Sequence, residues 1–262
     1  MRSALALALC ATATCAASAA HAEGVLGSER HFNIELHYAR YAPQIDSEFS
    51  TKSGCDTQLP FVRLFGSDPH SLLQIGYEHH LYDGFGTLSA GGMIGYFNAR
   101  NGAVLPGTCA SATGAGTVAS DGVIDAPDQS KKAKTEMTIV PLQAQVTYRL
   151  DTWEDYIPLV PVVRLGLDYD YWRINGTSDK IAHFETGQPA EGGTWGWHYT
   201  LGVHVLLDYF ADDMAADFDR DAGVNSTYFT VEYSQLTIDD FGSKNSFRLG
   251  DKTLVLGLSF DI

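Results

Sequence analysis

An aspartate and a histidine on consecutive predicted strands are the side chains with the clearest potential for chemistry. Counting pairs across the two strands places Asp168 roughly opposite His198, with both side chains on the same side of the sheet. A carboxylate that orients an imidazole is half of a hydrolytic site, and Ser234 or Thr200 would have to supply the nucleophile. The spacing favours neither hydroxyl. We therefore interpret the pair as an interior hydrogen bond and predict no catalytic residue.

The polar face of the predicted strands carries charges of both signs, which suits a closed interior with internal ion pairs. The run Asp217-x-Asp219-x-Asp221 lacks the glycine and the final glutamate of a calcium loop. We expect neither a metal ion nor a cofactor. The predicted interior network consists of Glu35, His37, Glu78, Arg149, Arg164, Asp168, His198 and Glu232.

Two cysteines, Cys55 and Cys109, lie in two long predicted loops at the same end of the predicted strands. In an oxidising compartment such a pair more often forms a disulfide than a metal site. We predict a disulfide between them that ties the two loops together.

Eight segments alternate between large apolar side chains and small or polar ones, which is the pattern of a β-strand with one apolar face. The last segment is the clearest, because Leu254, Leu256, Leu258, Phe260 and Ile262 all fall on one face. The predicted strands span His31 to Tyr41, Leu72 to Leu81, Gly86 to Asn98, Thr135 to Leu150, Ile157 to Trp172, Thr194 to Leu207, Tyr228 to Thr237 and Thr253 to Ile262.

The connections between these strands sort by length. They are mostly long after strands one, three, five and seven and short after strands two and four, with a tight turn over Tyr82 to Phe85. Such sorting is typical of a barrel with one end outside the cell and the other in the periplasm. The connection from Asp208 to Gly223 is the exception, and Phe210, Met214 and Phe218 at intervals of four predict one short amphipathic helix there.

Residues 1–22 read as a secretory signal peptide, with Arg2, an apolar stretch and the cleavage site Ala20-His21-Ala22. Residues 23–262 then form one domain. Loss of Arg2 takes the formal net charge from −15 to −16, and such acidity argues against binding of nucleic acid. No later segment approaches 18 consecutive apolar residues, and a secreted chain that enters a membrane without such a helix must form a closed barrel.

Alternation alone does not decide which face points outward, since a soluble ligand-binding barrel has the same period with its apolar face inside. Aromatic residues near the strand ends favour the membrane, because Tyr and Trp form girdles at both interfaces. We predict an all-β fold, an eight-stranded antiparallel up-and-down transmembrane barrel. The aromatic residues on the outward faces are Tyr38, Tyr96, Tyr148, Tyr169, Tyr171, Trp195 and Trp197.

Three motifs carry a resemblance to known proteins: Tyr41-x-Pro43-x-Ile45-Asp46, Ile157-Pro158-Leu159-Val160-Pro161 and Leu256-Gly257-Leu258-Ser259-Phe260. They resemble a bacterial outer-membrane β-barrel family that is described by its architecture alone. The chain is more loosely similar to the small OmpA/OmpX-type barrels. The resemblance implies location in the outer membrane and recognition of the last strand, Leu254 to Ile262, by the barrel-insertion machinery.

The resemblance implies no defined activity, so function is inferred from architecture. Because the interior of eight strands is just wide enough for side chains, an open pore is disfavoured. We expect a monomer, not an enzyme, with a structural or surface-interaction role in which the outer loops contact lipopolysaccharide or other surface partners. A narrow or gated pore and a barrel enzyme that modifies lipid or peptide are the alternatives.

Overall fold

The structure is a computed structural model, and it describes residues 30–48, 60–104, 129–154, 156–176, 180–183, 187–210, 217–218, 220–243 and 246–262. The predicted signal peptide and both cysteines lie outside these residues. Within them, none of the helices has the length and apolar character needed to cross a membrane.

Eight strands form one closed barrel in which each strand pairs antiparallel with its neighbours in sequence and β1 pairs with β8. This confirms the predicted eight-stranded up-and-down fold. Among the described residues, the connections contain the helix α1 (Pro60–Phe65), the 3₁₀ helices Gln44–Glu48 and Asp208–Phe210, and further helical residues at 217–218 and 220–222. The strands are β1 (Phe32–Tyr41), β2 (His70–Gly84), β3 (Gly86–Val104), β4 (Gln129–Arg149), β5 (Leu159–Asn175), β6 (Glu191–Leu206), β7 (Ser226–Ile238) and β8 (Asp251–Asp261).

Several strands are longer than the sequence pattern predicts. The hairpin of β3 and β4 continues to the pair Val104 and Gln129, where apolar residues no longer alternate and backbone pairing alone extends the ladder.

The predicted four-residue turn after β2 is shorter in the structure, because Gly84 pairs with Gly86 across Phe85. Gly86 has a φ of 99°, and a Cβ there would lie 2.5 Å from the carbonyl oxygen of Arg149. Only glycine fits this turn.

The outer wall of the barrel is apolar. Outward side chains such as Leu73, Leu165 and Leu254 are 58%, 60% and 56% exposed. The side chains between them point inward and are buried. The alternating pattern therefore places its large apolar residues on the outside, as the sequence analysis predicts.

The interior differs between its two ends, which we call the loop end and the turn end after their long and short connections. The prediction of a polar interior is wrong for the loop end, which holds an apolar core. Residues from the β1–β2 connection complete this core, so that it resembles the inside of a soluble protein. Its buried members are Ala39, Tyr41, Ile45, Phe61, Phe65, Leu72, Phe97, Ala99, Met137, Ile139, Trp172, Leu236, Ile238, Leu249 and Val255.

Helix α1 folds into the mouth at the loop end, which the sequence analysis did not predict. Asp46 fixes its first turn, because the carboxylate accepts hydrogen bonds from the backbone N–H groups of Phe61 (2.6 Å) and Val62 (3.0 Å). This is the interaction of a helix-capping side chain. Phe61 and Phe65 are buried on the side of α1 that faces the barrel.

Between Asp208 and Gly223, where the sequence predicts a single amphipathic helix, the structure describes two helical pieces. One is the 3₁₀ helix Asp208–Phe210, and the other comprises residues 217–218 and 220–222. Phe210 and Phe218 are exposed. Met214 lies outside the described residues.

Candidate functional site

An ion-pair layer closes the interior at the turn end. Arg149 donates two hydrogen bonds of 2.8 Å to the carboxylate of Asp261 on β8. Arg30 contacts Glu154 at 2.7 Å, and the hydroxyl of Tyr228 donates to the same glutamate at 2.7 Å. The guanidinium of Arg149 also lies over the ring of Tyr228, 5.5 Å from its centre. Arginine, carboxylate and aromatic side chains thus fill this cross-section.

The next layer is centred on Arg164 of β5. Its guanidinium donates to both carboxylate oxygens of Glu35, with one Nη2–Oε1 distance of 2.6 Å. It also contacts Glu232 at 3.1 Å and Glu78 at 3.5 Å. All four side chains are buried. One guanidinium therefore holds carboxylates from β1, β2 and β7 together across the inside of the barrel.

Neutral donors and two histidines complete the Arg164 layer. Gln145 and Thr147 donate to Glu78 at 2.6 and 2.5 Å. The imidazole of His204 lies 2.8 Å from Glu232, and that of His37 lies 3.5 Å from Glu35. Three carboxylates surround one guanidinium, and a buried site of this kind is stabilised by such additional hydrogen-bond donors.

The third polar group contains the aspartate and histidine singled out from the sequence. The Nδ1 atom of His198 lies 3.0 and 2.9 Å from the two oxygens of Asp168, and Gln143 donates to Asp168 at 2.7 Å. Asp168 is only roughly opposite His198, which pairs with Gly166, two residues away on β5. The contact is diagonal. Gly166 makes room for it, since a Cβ there would lie 2.4 Å from Cε1 of His198.

Two hydroxyl groups lie near this dyad, and they bond to each other. Thr200 donates its hydroxyl to Ser234 at 2.9 Å, and both line a cavity of about 20 Å³ beside His198, enough for one or two water molecules. Asp168 and His198 are themselves buried. The dyad forms a buried hydrogen bond that joins β5 and β6.

The structure places all eight residues of the predicted interior network inside the barrel, in three separate groups. Glu35, His37, Glu78, Arg164 and Glu232 form one group, Arg149 belongs to the turn-end layer, and Asp168 and His198 form the third. Asp261, His204 and Gln143 are important partners that the sequence analysis did not select. Alternation places them on inward faces, but their partnership depends on the register between strands, which alternation does not give.

The fold and its interior define the class of the molecule as a closed eight-stranded antiparallel barrel with an apolar outside and an inside that is charged at the turn end and apolar at the loop end. No protein-family model matches the chain, and a search of curated proteins finds no match. Solved structures do match it at low identity.

The chain is similar to the attachment invasion locus protein Ail of Yersinia pestis, solved with the heparin analogue sucrose octasulfate (10% identity, 90% of this chain and 100% of that chain, TM-score 0.39). It is similar to Neisserial surface protein A (12%, 92% and 100%, TM-score 0.43). It is also similar to the N-terminal β-barrel domain of Pseudomonas aeruginosa OprF (12%, 89% and 98%, TM-score 0.38).

Proposed function

We propose that the protein is an integral outer-membrane β-barrel with a structural or surface-interaction role. One observation carries the proposal: apolar side chains stand exposed on the outside of the barrel while ion pairs fill the turn-end half of its inside. Burial of a single Leu, Ile, Val or Phe side chain stabilises a protein by about 1.5–3 kcal/mol. A continuous wall of such residues is therefore stable against hydrocarbon and prone to aggregation in water.

Aromatic residues support an orientation in this membrane. Tyr96 and Trp195 stand outward toward the loop end and are 54% and 51% exposed. Phe85, Trp153 and Tyr156 stand outward at the turn end, and the rings of Phe85 and Trp153 meet edge to face. Two such belts match the two interfaces of a bilayer. We assign the loop end to the cell exterior and the turn end to the periplasm.

The packed interior favours a scaffold over a channel. Layers of ion pairs fill the turn end, and the apolar core with α1 fills the loop end. The barrel then serves to hold its outer loops, and the hairpin of β3 and β4, the two longest strands, would project a surface for contact with lipopolysaccharide or other cell-surface partners. Neither alternative, the gated pore nor the barrel enzyme, gains support from a site in the described residues.

Cell fractionation combined with gel electrophoresis tests the proposal. We expect the protein in the outer-membrane fraction and expect the unheated sample to migrate faster than the boiled one, because a closed barrel resists unfolding by detergent. Recovery from the soluble periplasmic fraction, with equal migration before and after boiling, would contradict it.

Three further proposals come from residues outside the site. Residues 1–22 act as a cleaved signal peptide, Cys55 and Cys109 form a disulfide, and β8 is recognised by the barrel-insertion machinery. Intact mass of the mature protein tests the first two, since it reports cleavage after Ala22 and the loss of two hydrogens. Accumulation of a Phe260→Ala variant outside the outer membrane would support the third.

A further inference from the structure

Exposed basic residues are distributed very unequally between the two ends of the barrel. Among the Lys and Arg side chains that the structure describes, Arg220 is the exposed one at the turn end, and it is paired with Asp217. The same end carries the exposed Asp83 and Asp221. The exposed basic side chains at the loop end are Arg40, Arg100, Lys134, Arg173, Lys180, Arg248 and Lys252.

Four of these cations lie on the outward faces of strands at the edge of the apolar wall, and we call them the basic rim: Arg40, Arg100, Arg173 and Lys252. Along β1, Arg40 is the next outward residue after Tyr38. Along β5, Arg173 follows Tyr171, and along β8, Lys252 precedes Leu254. On β3, the successive outward residues are Tyr96, Asn98 and Arg100. Each cation thus stands where the membrane wall meets the loop-end interface.

Carboxylates lie beside two members of the basic rim but not directly across from the other two. The carboxylate of Glu136 lies 2.7 Å from Arg100, and Glu191 is the cross-strand partner of Arg173. Arg40 and Lys252 have uncharged cross-strand partners. On the other side of the barrel, Asp251 lies beside Lys252, but its carboxylate accepts hydrogen bonds from backbone N–H groups.

We infer that the basic rim binds phosphate groups of the phosphorylated glycolipid in the outer leaflet, an inference that rests on the proposed membrane function. The chain has a formal net charge of −15, so a positive band at one interface does not follow from overall composition. Guanidinium and ammonium groups are the preferred partners of phosphate in proteins. At the rim they lie at the depth of the headgroups, with Tyr38 and Tyr171 at the boundary below them.

Binding of lipid A by the folded protein in uncharged detergent tests this inference. The variant carries R40Q, R100Q, R173Q and K252Q together, and R220Q is the matched control at the turn end. We expect the quadruple variant to bind bisphosphorylated lipid A at least about tenfold more weakly, because each cation near an anionic headgroup contributes on the order of fivefold in affinity. Wild type should show a similar loss with dephosphorylated lipid A, and R220Q should bind as wild type does.

Two results would overturn the inference: equal binding of lipid A by wild type and the quadruple variant, or equal binding of the two lipid A forms by wild type. Heat-modifiable migration checks that each variant folds, and the pairs R40Q/K252Q and R100Q/R173Q replace the quadruple variant if it does not. Insertion into uncharged phosphatidylcholine bilayers tests the membrane function separately. Failure of wild type to insert would overturn that function, and insertion without phosphate dependence would overturn the basic rim alone.

Discussion

At the scale of single residues, Arg164 is the side chain on which the buried interior most depends. Its guanidinium contacts carboxylates from three other strands, Glu35, Glu78 and Glu232. Removing one partner of a buried ion pair leaves an uncompensated charge in a medium of low dielectric. A substitution of Arg164 alone therefore measures how much these ion pairs stabilise the fold.

We expect Arg164→Gln to lower the free energy of unfolding by about 3–5 kcal/mol. Arg100→Gln is the control, because its ion pair with Glu136 is exposed at the surface and such pairs contribute about 0–1 kcal/mol. Urea unfolding of both variants in lipid vesicles, followed by tryptophan fluorescence, measures the difference. Equal stabilities of the two variants would contradict a structural role for the Arg164 layer.

Two neighbouring inward aspartates give a second comparison between residues. Asp168 has hydrogen-bond partners in His198 and Gln143, whereas Oδ1 of the buried Asp170 has no partner among the described residues. We expect Asp168→Asn to lower the free energy of unfolding by about 1–3 kcal/mol, because it replaces a charged acceptor of two hydrogen bonds. Asp170→Asn should leave stability unchanged or raise it. The same unfolding experiment tests both variants, and the opposite order of stabilities would show the assignment to be wrong.

At the scale of elements, the sequence predicts strands and their faces well and the interior contacts less well. The large apolar residues of β8 predict which of its faces points outward, because alternation can be read within one short segment of the sequence. Phe97, Ile139 and Trp172 lie on inward positions of their strands by the same alternation. Their packing into an apolar core also requires Phe61 and Phe65 of α1. These two side chains fold back into the barrel from the β1–β2 connection. Such long-range packing leaves no periodic signal in the sequence.

Asp46 gives a test of how α1 is held in the mouth of the barrel. We expect Asp46→Ala to destabilise the α1 region by about 0.5–2 kcal/mol, because it removes the acceptor for the first N–H groups of the helix. Asp46→Asn keeps a capping oxygen and should lose much less. Hydrogen exchange of the backbone amides of residues 61–65 measures the effect, with the amides of β5 as an internal reference. Equal protection in all three proteins would mean that apolar packing alone fixes α1.

At the scale of the whole molecule, the interior of the barrel is closed at both ends, by a different kind of packing at each end. The turn end is filled by ion pairs of Arg149 and Arg164, and the loop end is filled by the apolar core beneath α1. A cavity of about 20 Å³ lies between them, and a cavity of this size holds one or two water molecules rather than a continuous column. An ion would have to displace several buried ion pairs to cross, so we expect a scaffold without conduction.

Planar bilayer recordings test this expectation with one variant at each block. Phe61→Ala/Phe65→Ala removes the apolar closure at the loop end, but the charged layers remain, so this variant should show no unitary conductance, like wild type. Arg164→Gln opens the charged layer but leaves the apolar core in place, and it should also stay closed while it folds. The triple variant Phe61→Ala/Phe65→Ala/Arg164→Gln weakens both blocks. It is the variant in which we expect channel activity. Stable unitary steps in wild type would contradict the closed interior and favour a gated pore.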